Sequence, residues 1–172
     1  MEIIKTEIEG LLIIKPKVFE DERGYFYESY NEQAYQQNGI AMNFVQDNQS
    51  KSKRGVLRGL HFQNPPFAQG KLIRVLSGCV FDVAVDIRKD SETYGQWHSV
   101  ILSEDNKLQY WIPPGFAHGF LTLENDTILS YKCTELYNKE AEGSIRWNDP
   151  DLKISWSYYD PILSDKDKDA TL

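Results

Sequence analysis

The sequence predicts an all-β protein, a sandwich or barrel of many short strands with few short helices. Residues 79–88 alternate between apolar and polar side chains, which is typical of a strand with one polar face. Similar short apolar runs recur along the chain, and turn-forming residues separate them. Aromatic residues make up 13% of the chain, and such side chains favour strands because they pack well on a pleated surface. Closely spaced short strands indicate a sandwich or a barrel.

Seven further segments have the same strand pattern, and one segment favours a helix. The strand segments are 11–14, 25–30, 71–76, 98–102, 109–112, 119–123 and 127–134, and the helix candidate is 31–38. In segment 79–88, Asp82 and Asp86 fall on the polar face. They face either solvent or, in a closed barrel, an internal cavity. With 172 residues and no repeat or linker, residues 1–172 are predicted to form a single domain.

Composition argues against a membrane protein and a secreted one. The longest unbroken apolar run is 11–14, which is far too short to span a bilayer. The N-terminal segment carries several charges and lacks the apolar stretch of a signal peptide. Cys79 and Cys133 are too few and too far apart for a disulfide framework, so we expect buried free thiols. The chain is therefore predicted to be a soluble cytoplasmic protein.

The charge of the chain is unevenly distributed. A net charge of −7 disfavours nucleic acid as a partner. Segment 48–81, however, contains no acidic residue and carries a charge of +6. A local positive field in an acidic protein favours the capture of a small anion in a cleft. The basic residues are Lys51, Lys53, Arg54, Arg58, Lys71 and Arg74. The first three are equally consistent with a solvated loop, whereas apolar neighbours are expected to hold Arg58 and Lys71 in the fold.

The three histidines have different sequence contexts. His98 stands at the start of a strand segment and is predicted to lie on the surface. His61 and His118 lie among apolar residues, where a hydrogen-bonded core histidine is the common outcome. The spacing around His118, in PPGFAHGF, resembles the second motif of the cupin superfamily and indicates a jelly roll.

The first cupin motif is incomplete. It would read His61-Phe62-Gln63, without the second histidine and the glutamate of the metal-binding cupins, and no acidic residue follows before Asp82. Two histidines without a nearby third ligand do not make a convincing metal site. No metal is therefore predicted.

Longer stretches of the chain resemble one family of non-metal cupins, the dTDP-4-dehydrorhamnose 3,5-epimerases of sugar-nucleotide biosynthesis. The resemblance runs from about residue 19 to Asp167, and a series of long ordered blocks is more specific than a single motif. The matching stretches are FEDERGYFYESYN, FVQDNQSKSKRGVLRGLHFQ, AQGKLIRVLSGCVFDVAVDIRKDS, YGQWHSVILS, IPPGFAHGFLTL, SYKCTELY, RWNDPDLKISW and LSDKD.

This resemblance implies a substrate and a reaction. A dTDP-linked 4-keto-6-deoxy sugar, dTDP-4-dehydro-6-deoxy-D-glucose, is inverted at C3 and C5 to give dTDP-4-dehydro-L-rhamnose, in dTDP-L-rhamnose biosynthesis. A C–H bond beside a ketone is weakly acidic, so the enzyme needs a base, a stabiliser for the enolate oxygen, and an acid on the opposite face. The resemblance implies no cofactor. It also implies a homodimer in which an N-terminal strand crosses to the partner subunit.

The resemblance also implies the catalytic residues. His61 matches the base, since an imidazole can accept a proton near neutral pH. Asp167 matches the carboxylate that orients this base. Lys71 is implied to place positive charge beside the developing enolate oxygen. Tyr131 matches the proton donor on the opposite face of the sugar ring, a weak acid that must be well positioned.

A second set of residues is implied to bind the nucleotide sugar. Arg23 and Arg58 suit the diphosphate, because a planar guanidinium can bind two oxygens at once. Tyr137 matches a residue that stacks on the thymine ring. The complete set is Arg23, Glu28, Gln46, Asp47, Asn48, Arg58, Lys71, His118, Tyr137, Glu142 and Lys166.

The chain departs from the family pattern in two places. Leu136-Tyr137 stands where the family often has two tyrosines, so stacking depends on one ring. The segment before LSDKD is shorter, so Asp165 or Asp169 are alternatives to Asp167 as the orienting carboxylate. In a crossed dimer, Arg23 and Glu28 could serve the partner's site.

Other activities are alternatives to the double epimerase. They are epimerisation at C3 or C5 alone, 3,4-ketoisomerisation of a related nucleotide sugar, and binding without catalysis.

Overall fold

The structure, a computed structural model, describes residues 1–158 and 160–170. The strands are β1 (Glu2–Lys5), β2 (Leu12–Lys15), β3 (Phe19–Asp21), β4 (Gly24–Phe26), β5 (Gln46–Ser52), β6 (Leu57–Gln63), β7 (Lys71–Ser77), β8 (Cys79–Asp86), β9 (Trp97–Ser103), β10 (Gln109–Ile112), β11 (Phe116–Thr122), β12 (Thr127–Cys133) and β13 (Glu142–Ser144). The helices are α1 (Glu32–Gln37) and α2 (Asp165–Lys168). The predicted all-β class with few short helices is confirmed.

Two antiparallel sheets enclose the core. One has six strands in the order β1-β2-β10-β7-β12-β5, and the other has five in the order β13-β6-β11-β8-β9. Both sheets contribute apolar side chains to the space between them, such as Ile73 and Leu129 from the first and Val80 and Phe120 from the second. Burial of these side chains, at about 25 cal/mol per Å² of apolar surface, is the main force that holds the sheets together.

The outer faces of both sheets are also largely covered. On the six-stranded sheet, Leu72 and Trp111 pack against Tyr35 of α1. On the five-stranded sheet, Val83 and Val85 of β8 pack under the segment 145–156. The apolar face of β8 is therefore the outer one, and its polar face points into the barrel, as in the cavity-lining alternative.

Strands β6 and β11 approach each other unusually closely. Gly59 has φ +127°, and an added Cβ would lie 2.5 Å from the Cα of Gly119. A larger residue cannot occupy either position without displacing a strand. The register that results places His61 of β6 directly opposite His118 of β11.

The two helices begin at capping side chains. Asn31 caps α1 by accepting a hydrogen bond from the backbone N–H of Ala34, and the chain leaves the helix at Asn38, which confirms the predicted helix 31–38. Helix α2, capped by Ser164, has no counterpart in the sequence prediction. It is a single turn without an apolar repeat, so the hydrophobic pattern carries no signal for it.

Strands β3 and β4 form a separate hairpin that pairs with neither large sheet. The predicted strand 25–30 is wrong beyond Phe26, where the chain leaves the hairpin. Phe19, Tyr25 and Phe26 on this hairpin are each more than half exposed. Within residues 1–158 and 160–170, no helix is long and apolar enough to cross a membrane.

Candidate active site

A cavity of about 300 Å³ opens between the two sheets. Strands β5, β7 and β12 line it on one side, and β6 and β13 line it on the other. Its walls are Gln46, Asn48, His61, Phe62, Gln63, Gln69, Lys71, Tyr131, Tyr137 and Glu142. The cavity therefore combines one imidazole, one ammonium group, two phenols and one carboxylate with several amides.

His61 is held by a buried carboxylate. Its Nε2 lies 2.6 Å from Oδ1 of Asp167, whose side chain is 4% exposed, while the imidazole is 29% exposed. The Ser164 hydroxyl donates to the other oxygen of Asp167 at 2.8 Å. Burial acts to raise the pKa of Asp167, but the hydrogen bonds from His61 and Ser164 outweigh it, so this pKa lies below its usual range. Asp167 is therefore an ionised partner that fixes the ring while leaving one edge open to the cavity.

Lys71 is the cation inside the cavity. Its ammonium group lies 6.0 Å from the centre of the Tyr131 ring. Burial lowers the pKa of Lys71, and nearby Cys133, Asp82 and Glu142 act in the opposite direction. A partly desolvated ammonium group interacts more strongly with developing negative charge than one in bulk water.

Tyr131 stands on β12, directly opposite Asn48 of β5. Burial, followed by the neighbouring Cys133, raises the pKa of Tyr131, and Arg58 and the Asn48 side chain only partly offset the rise. The phenol therefore keeps its proton at neutral pH and can act as a donor.

Glutamine side chains hold the loop that carries Tyr137. Gln46 accepts from the backbone N–H of Tyr137 at 2.9 Å, and Gln63 accepts from that of Asn138 at 2.8 Å. Gln69 donates to the carbonyl of Glu135 at 2.8 Å. The exposed ring of Tyr137 is thus fixed at the mouth of the cavity.

Glu142 connects this mouth to helix α2. It accepts hydrogen bonds from the Tyr137 hydroxyl at 3.2 Å and from Lys166. Burial acts to raise the pKa of Glu142, but Lys166 and Tyr137 outweigh it and the pKa is lowered. Helix α2 therefore supplies both the buried Asp167 behind His61 and the cation that pairs with Glu142.

Comparison with known proteins agrees with this arrangement. The family model described as dTDP-4-dehydrorhamnose 3,5-epimerase matches residues 5–172. The curated dTDP-4-dehydrorhamnose 3,5-epimerase of Methanothermobacter thermautotrophicus is 55% identical over 168 residues, which cover 96% of this chain and 90% of that protein. The chain belongs to the dTDP-4-dehydrorhamnose 3,5-epimerase family.

Solved structures of the family have the same fold. An epimerase from Legionella pneumophila, in complex with dTDP-4-keto-L-rhamnose, is 54% identical with a TM-score of 0.94, and the match covers 98% of this chain and 90% of that one. A 3′-monoepimerase from Streptomyces bikiniensis, in complex with dTDP-quinovose, is 33% identical with a TM-score of 0.90, over 96% and 84% of the two chains. The predicted cupin-type jelly roll is confirmed.

The structure brings most residues implied by the family resemblance to one place. Seven of them line the cavity, namely Gln46, Asn48, His61, Lys71, Tyr131, Tyr137 and Glu142. Asp167 and Lys166 stand directly behind this wall. Of the three candidate carboxylates, only Asp167 contacts His61, because Asp165 and Asp169 are exposed on the outside of helix α2.

Other implied residues lie outside the cavity wall. Asp47 points to the opposite face of β5 and pairs with Lys132 at 3.0 Å, because neighbouring residues of a strand face opposite sides. Arg58 is exposed, with its Nε donating to the Ser52 hydroxyl at 3.2 Å. Arg23 is exposed on the β3–β4 hairpin and pairs with Asp21, and Glu28 is exposed in the segment between that hairpin and α1.

His118 is buried beside the cavity, where its Nε2 lies 2.9 Å and 3.0 Å from the two carboxylate oxygens of Asp82. Sequence reasoning assigned no partner to His118, although the alternation in β8 placed Asp82 on a polar face. His98, which was predicted to lie on the surface, is only partly exposed. Its ring turns inward and its Nδ1 lies 3.0 Å from the hydroxyl of the fully buried Tyr110.

Three residues of the wall were not among the site residues predicted from the sequence. Phe62, Gln63 and Gln69 flank the matched positions His61 and Lys71 in the chain. The two glutamines act on backbone groups of the 134–141 loop, a role that residue type alone does not reveal. Cys79 and Cys133 are both free thiols, but only Cys133 is buried. In the part of the chain that the structure describes, no group of three metal-ligating side chains occurs.

Proposed function

We propose that the protein is a dTDP-4-dehydrorhamnose 3,5-epimerase that converts dTDP-4-dehydro-6-deoxy-D-glucose to dTDP-4-dehydro-L-rhamnose. The observation that carries this proposal is the joint presence, in one cavity, of an imidazole paired with an ionised carboxylate, a partly desolvated ammonium group and a protonated phenol. These are the base, the enolate stabiliser and the acid that inversion beside a ketone requires.

The proton transfers follow from the positions of these groups. His61 takes the proton from C3 or C5, and the carboxylate of Asp167 stabilises the resulting imidazolium. Lys71 donates a hydrogen bond to the C4 oxygen as it becomes an enolate. Tyr131 then delivers its proton to the opposite face of the carbon. Afterwards His61 releases the abstracted proton to solvent and Tyr131 takes a proton from solvent, which returns both side chains to their starting states. Electrons and charge balance without a redox step.

The nucleotide occupies the mouth of the cavity in this proposal. The exposed ring of Tyr137 stacks on thymine, and the amides of Gln46 and Asn48 offer donors and acceptors to the base and sugar. Arg58, within the basic segment 48–81, and Lys166 supply positive charge for the diphosphate.

We further propose a homodimer in which the β3–β4 hairpin serves the partner's site. Arg23 and Glu28 lie outside the cavity of their own chain, on or beside a hairpin with three exposed aromatic side chains. Contact with a second copy would bury these rings and bring Arg23 to a diphosphate. Mixed dimers of Arg23→Ala and His61→Ala chains test this proposal. Regain of activity, from the site that combines an intact arm with an intact cavity, supports it, and no regain in verified mixed dimers contradicts it.

The alternative activity is epimerisation at a single carbon, or ketoisomerisation, of a related sugar nucleotide. The structural similarity to a 3′-monoepimerase favours keeping this alternative, because the fold accommodates both outcomes. The number of inverted carbons depends on sub-ångström placement of base and acid.

Cytoplasmic residence remains a prediction, supported by the two free cysteines.

NMR of the dTDP-linked 4-keto-6-deoxyglucose in deuterated water tests the activity. We expect deuterium at both C3 and C5 and a product with L-rhamno configuration. Deuterium at C3 alone would establish the single-carbon alternative. Tight dTDP binding without any exchange would contradict an epimerase and establish a binding protein.

A further inference from the structure

The inference concerns Asp82, a carboxylate in the barrel interior that the proposed reaction does not use. Asp82 is fully buried, and both of its oxygens lie near Nε2 of His118, at 2.9 Å and 3.0 Å. Both distances fit a carboxylate that accepts from the imidazole N–H. Burial raises the pKa of Asp82, and the neighbouring His118 and Lys71 act against this rise. A negative charge at such a position is strongly unfavourable unless a positive charge lies nearby.

Lys71 is the cation that faces this charge. It makes no ion pair with any side chain of residues 1–158 and 160–170, so the surrounding field decides its protonation. The titratable groups around it are His61 (β6), Asp82 (β8), His118 (β11), Tyr131 and Cys133 (β12), Glu142 (β13) and Lys166 (α2). Glu142 is already paired with Lys166, and burial raises the pKa of the Cys133 thiol, which keeps it neutral. Asp82 is therefore the one acidic group of this set whose charge another cation does not already balance.

We propose that Asp82 is a positioning residue for the epimerisation, since its carboxylate fixes the His118 ring beside the cavity and keeps Lys71 in its protonated form. This inference rests on the proposed function, because the protonation of Lys71 matters to catalysis only if the protein is an epimerase. The experiment that tests it needs no substrate. Lys71 can donate a hydrogen bond to an enolate oxygen only while it carries its proton. Burial alone lowers the pKa of Lys71, and Asp82 opposes this change. Removal of the charge of Asp82 therefore shifts the loss of the Lys71 proton to lower pH.

The matched variants are Asp82→Asn and Asp86→Asn. Asp86 lies on the same inward face of β8, is also fully buried, and accepts hydrogen bonds from Arg88, Ser91 and Thr93. It is not among the groups that shift the pKa of Lys71. Each variant exchanges one buried carboxylate for an amide of the same shape. A merely structural effect of losing a buried carboxylate appears in both variants, whereas an electrostatic effect on Lys71 appears only in Asp82→Asn.

The measurement is a pH titration of Lys71 by NMR in protein labelled with carbon-13 at the lysine Cε, with the signal assigned by Lys71→Arg. We expect the Lys71 titration to move down by about one pH unit or more in Asp82→Asn and to stay in place in Asp86→Asn. The alkaline limb of the kcat profile should move with it. An unchanged Lys71 titration in Asp82→Asn, or an equal shift in both variants, overturns the inference.

A second variant covers the case in which Asp82→Asn does not fold. His118→Gln retains the charge of Asp82 and an N–H donor, so Lys71 should titrate at or above its pH in the unmodified protein. Titration at a lower pH overturns the inference.

Because the lysine titration needs no substrate, its outcome is independent of the test of the proposed function. Absence of exchange at C3 and C5 in the unmodified protein would reject the epimerase and leave the titration result unchanged.

Discussion

The histidines of two histidine–aspartate pairs lie on the neighbouring strands β6 and β11, and the environments of the two pairs differ. His61 and Asp167 meet at the cavity, with the imidazole 29% exposed, whereas His118 is 7% exposed and Asp82 is fully buried. In the first pair hydrogen bonding outweighs burial and the pKa of the carboxyl falls. In the second pair burial dominates, which raises the pKa of Asp82 and lowers that of His118.

The comparison shows that a histidine and an aspartate in contact can have two different roles in one protein, depending on how deeply they are buried. The open pair has an edge from which a proton can pass to and from a substrate, so it suits a base. The closed pair is almost entirely shielded from solvent and suits the support of nearby charges. The register of β6 and β11 sets the two imidazole rings side by side. The burial of each histidine–aspartate pair then decides whether its imidazole can exchange protons with a substrate.

Substitution of the open histidine is expected to have the largest effect. His61→Ala should reduce deuterium exchange at both C3 and C5 on the order of 10³-fold, because general base catalysis is lost. The partly exposed position of the ring predicts that the fold survives, which circular dichroism can verify. Exchange rates close to those of the unmodified protein would show that the base lies elsewhere.

Tyr131→Phe separates the two halves of the reaction. Abstraction needs only the base, while inversion also needs the acid, so net epimerisation should fall on the order of 10²-fold and exchange should fall less. NMR measures both quantities in the same sample. Equal losses of exchange and inversion would contradict the assignment of Tyr131 as the acid.

The sequence predicts the outline of the fold better than the strands that build the site. Strands with one apolar face, such as β8 and β12, give a clear alternating pattern. Strand β5, QDNQSKS, is polar on both faces because one face lines the cavity and the other meets solvent, so no alternation predicts it. In β6, Gly59 interrupts the alternation of apolar and polar residues, because a side chain at this position would clash with Gly119 of β11.

The partners within the site were equally hard to predict from local sequence. His61 and Asp167 are 106 positions apart, and the turn that carries Asp167 has no hydrophobic signature. The resemblance to the epimerase family named both residues but left three candidate carboxylates. Burial decided among them, since only one of the three side chains points inward. No resemblance pointed to Asp82 as the partner of His118, because that pairing depends on the register of β8 and β11.

Gly59→Ala tests the close approach that places the two histidines opposite each other. The variant combines an unfavourable positive φ with a clash against Gly119, and should lower the free energy of unfolding by roughly 2 to 3 kcal/mol. Gly39→Ala is the matched control, because Gly39 has φ +91° but open space around its Cα. Denaturant unfolding should show a clearly smaller loss for the control. Equal losses would mean that backbone strain alone, and not the contact of β6 with β11, restricts the position.

The smallest expected effect concerns the acid stability of the open pair. An unfolded aspartate has a pKa of about 3.9, and that of folded Asp167 is lower. The stabilisation from this group is therefore complete above the unfolded pKa and is lost as the pH falls through the folded pKa. Asp167→Asn should lower the free energy of unfolding near neutral pH. The difference in this free energy between the variant and the unmodified protein should become smaller as the pH falls from the unfolded pKa through the folded pKa of Asp167. Asp165→Asn, which removes an exposed carboxylate from the same helix, is the matched control variant. A constant difference between Asp167→Asn and the unmodified protein across this range would mean that the ionised carboxylate contributes no more than a neutral amide, and that the contrast between the two histidine pairs lies in exposure alone.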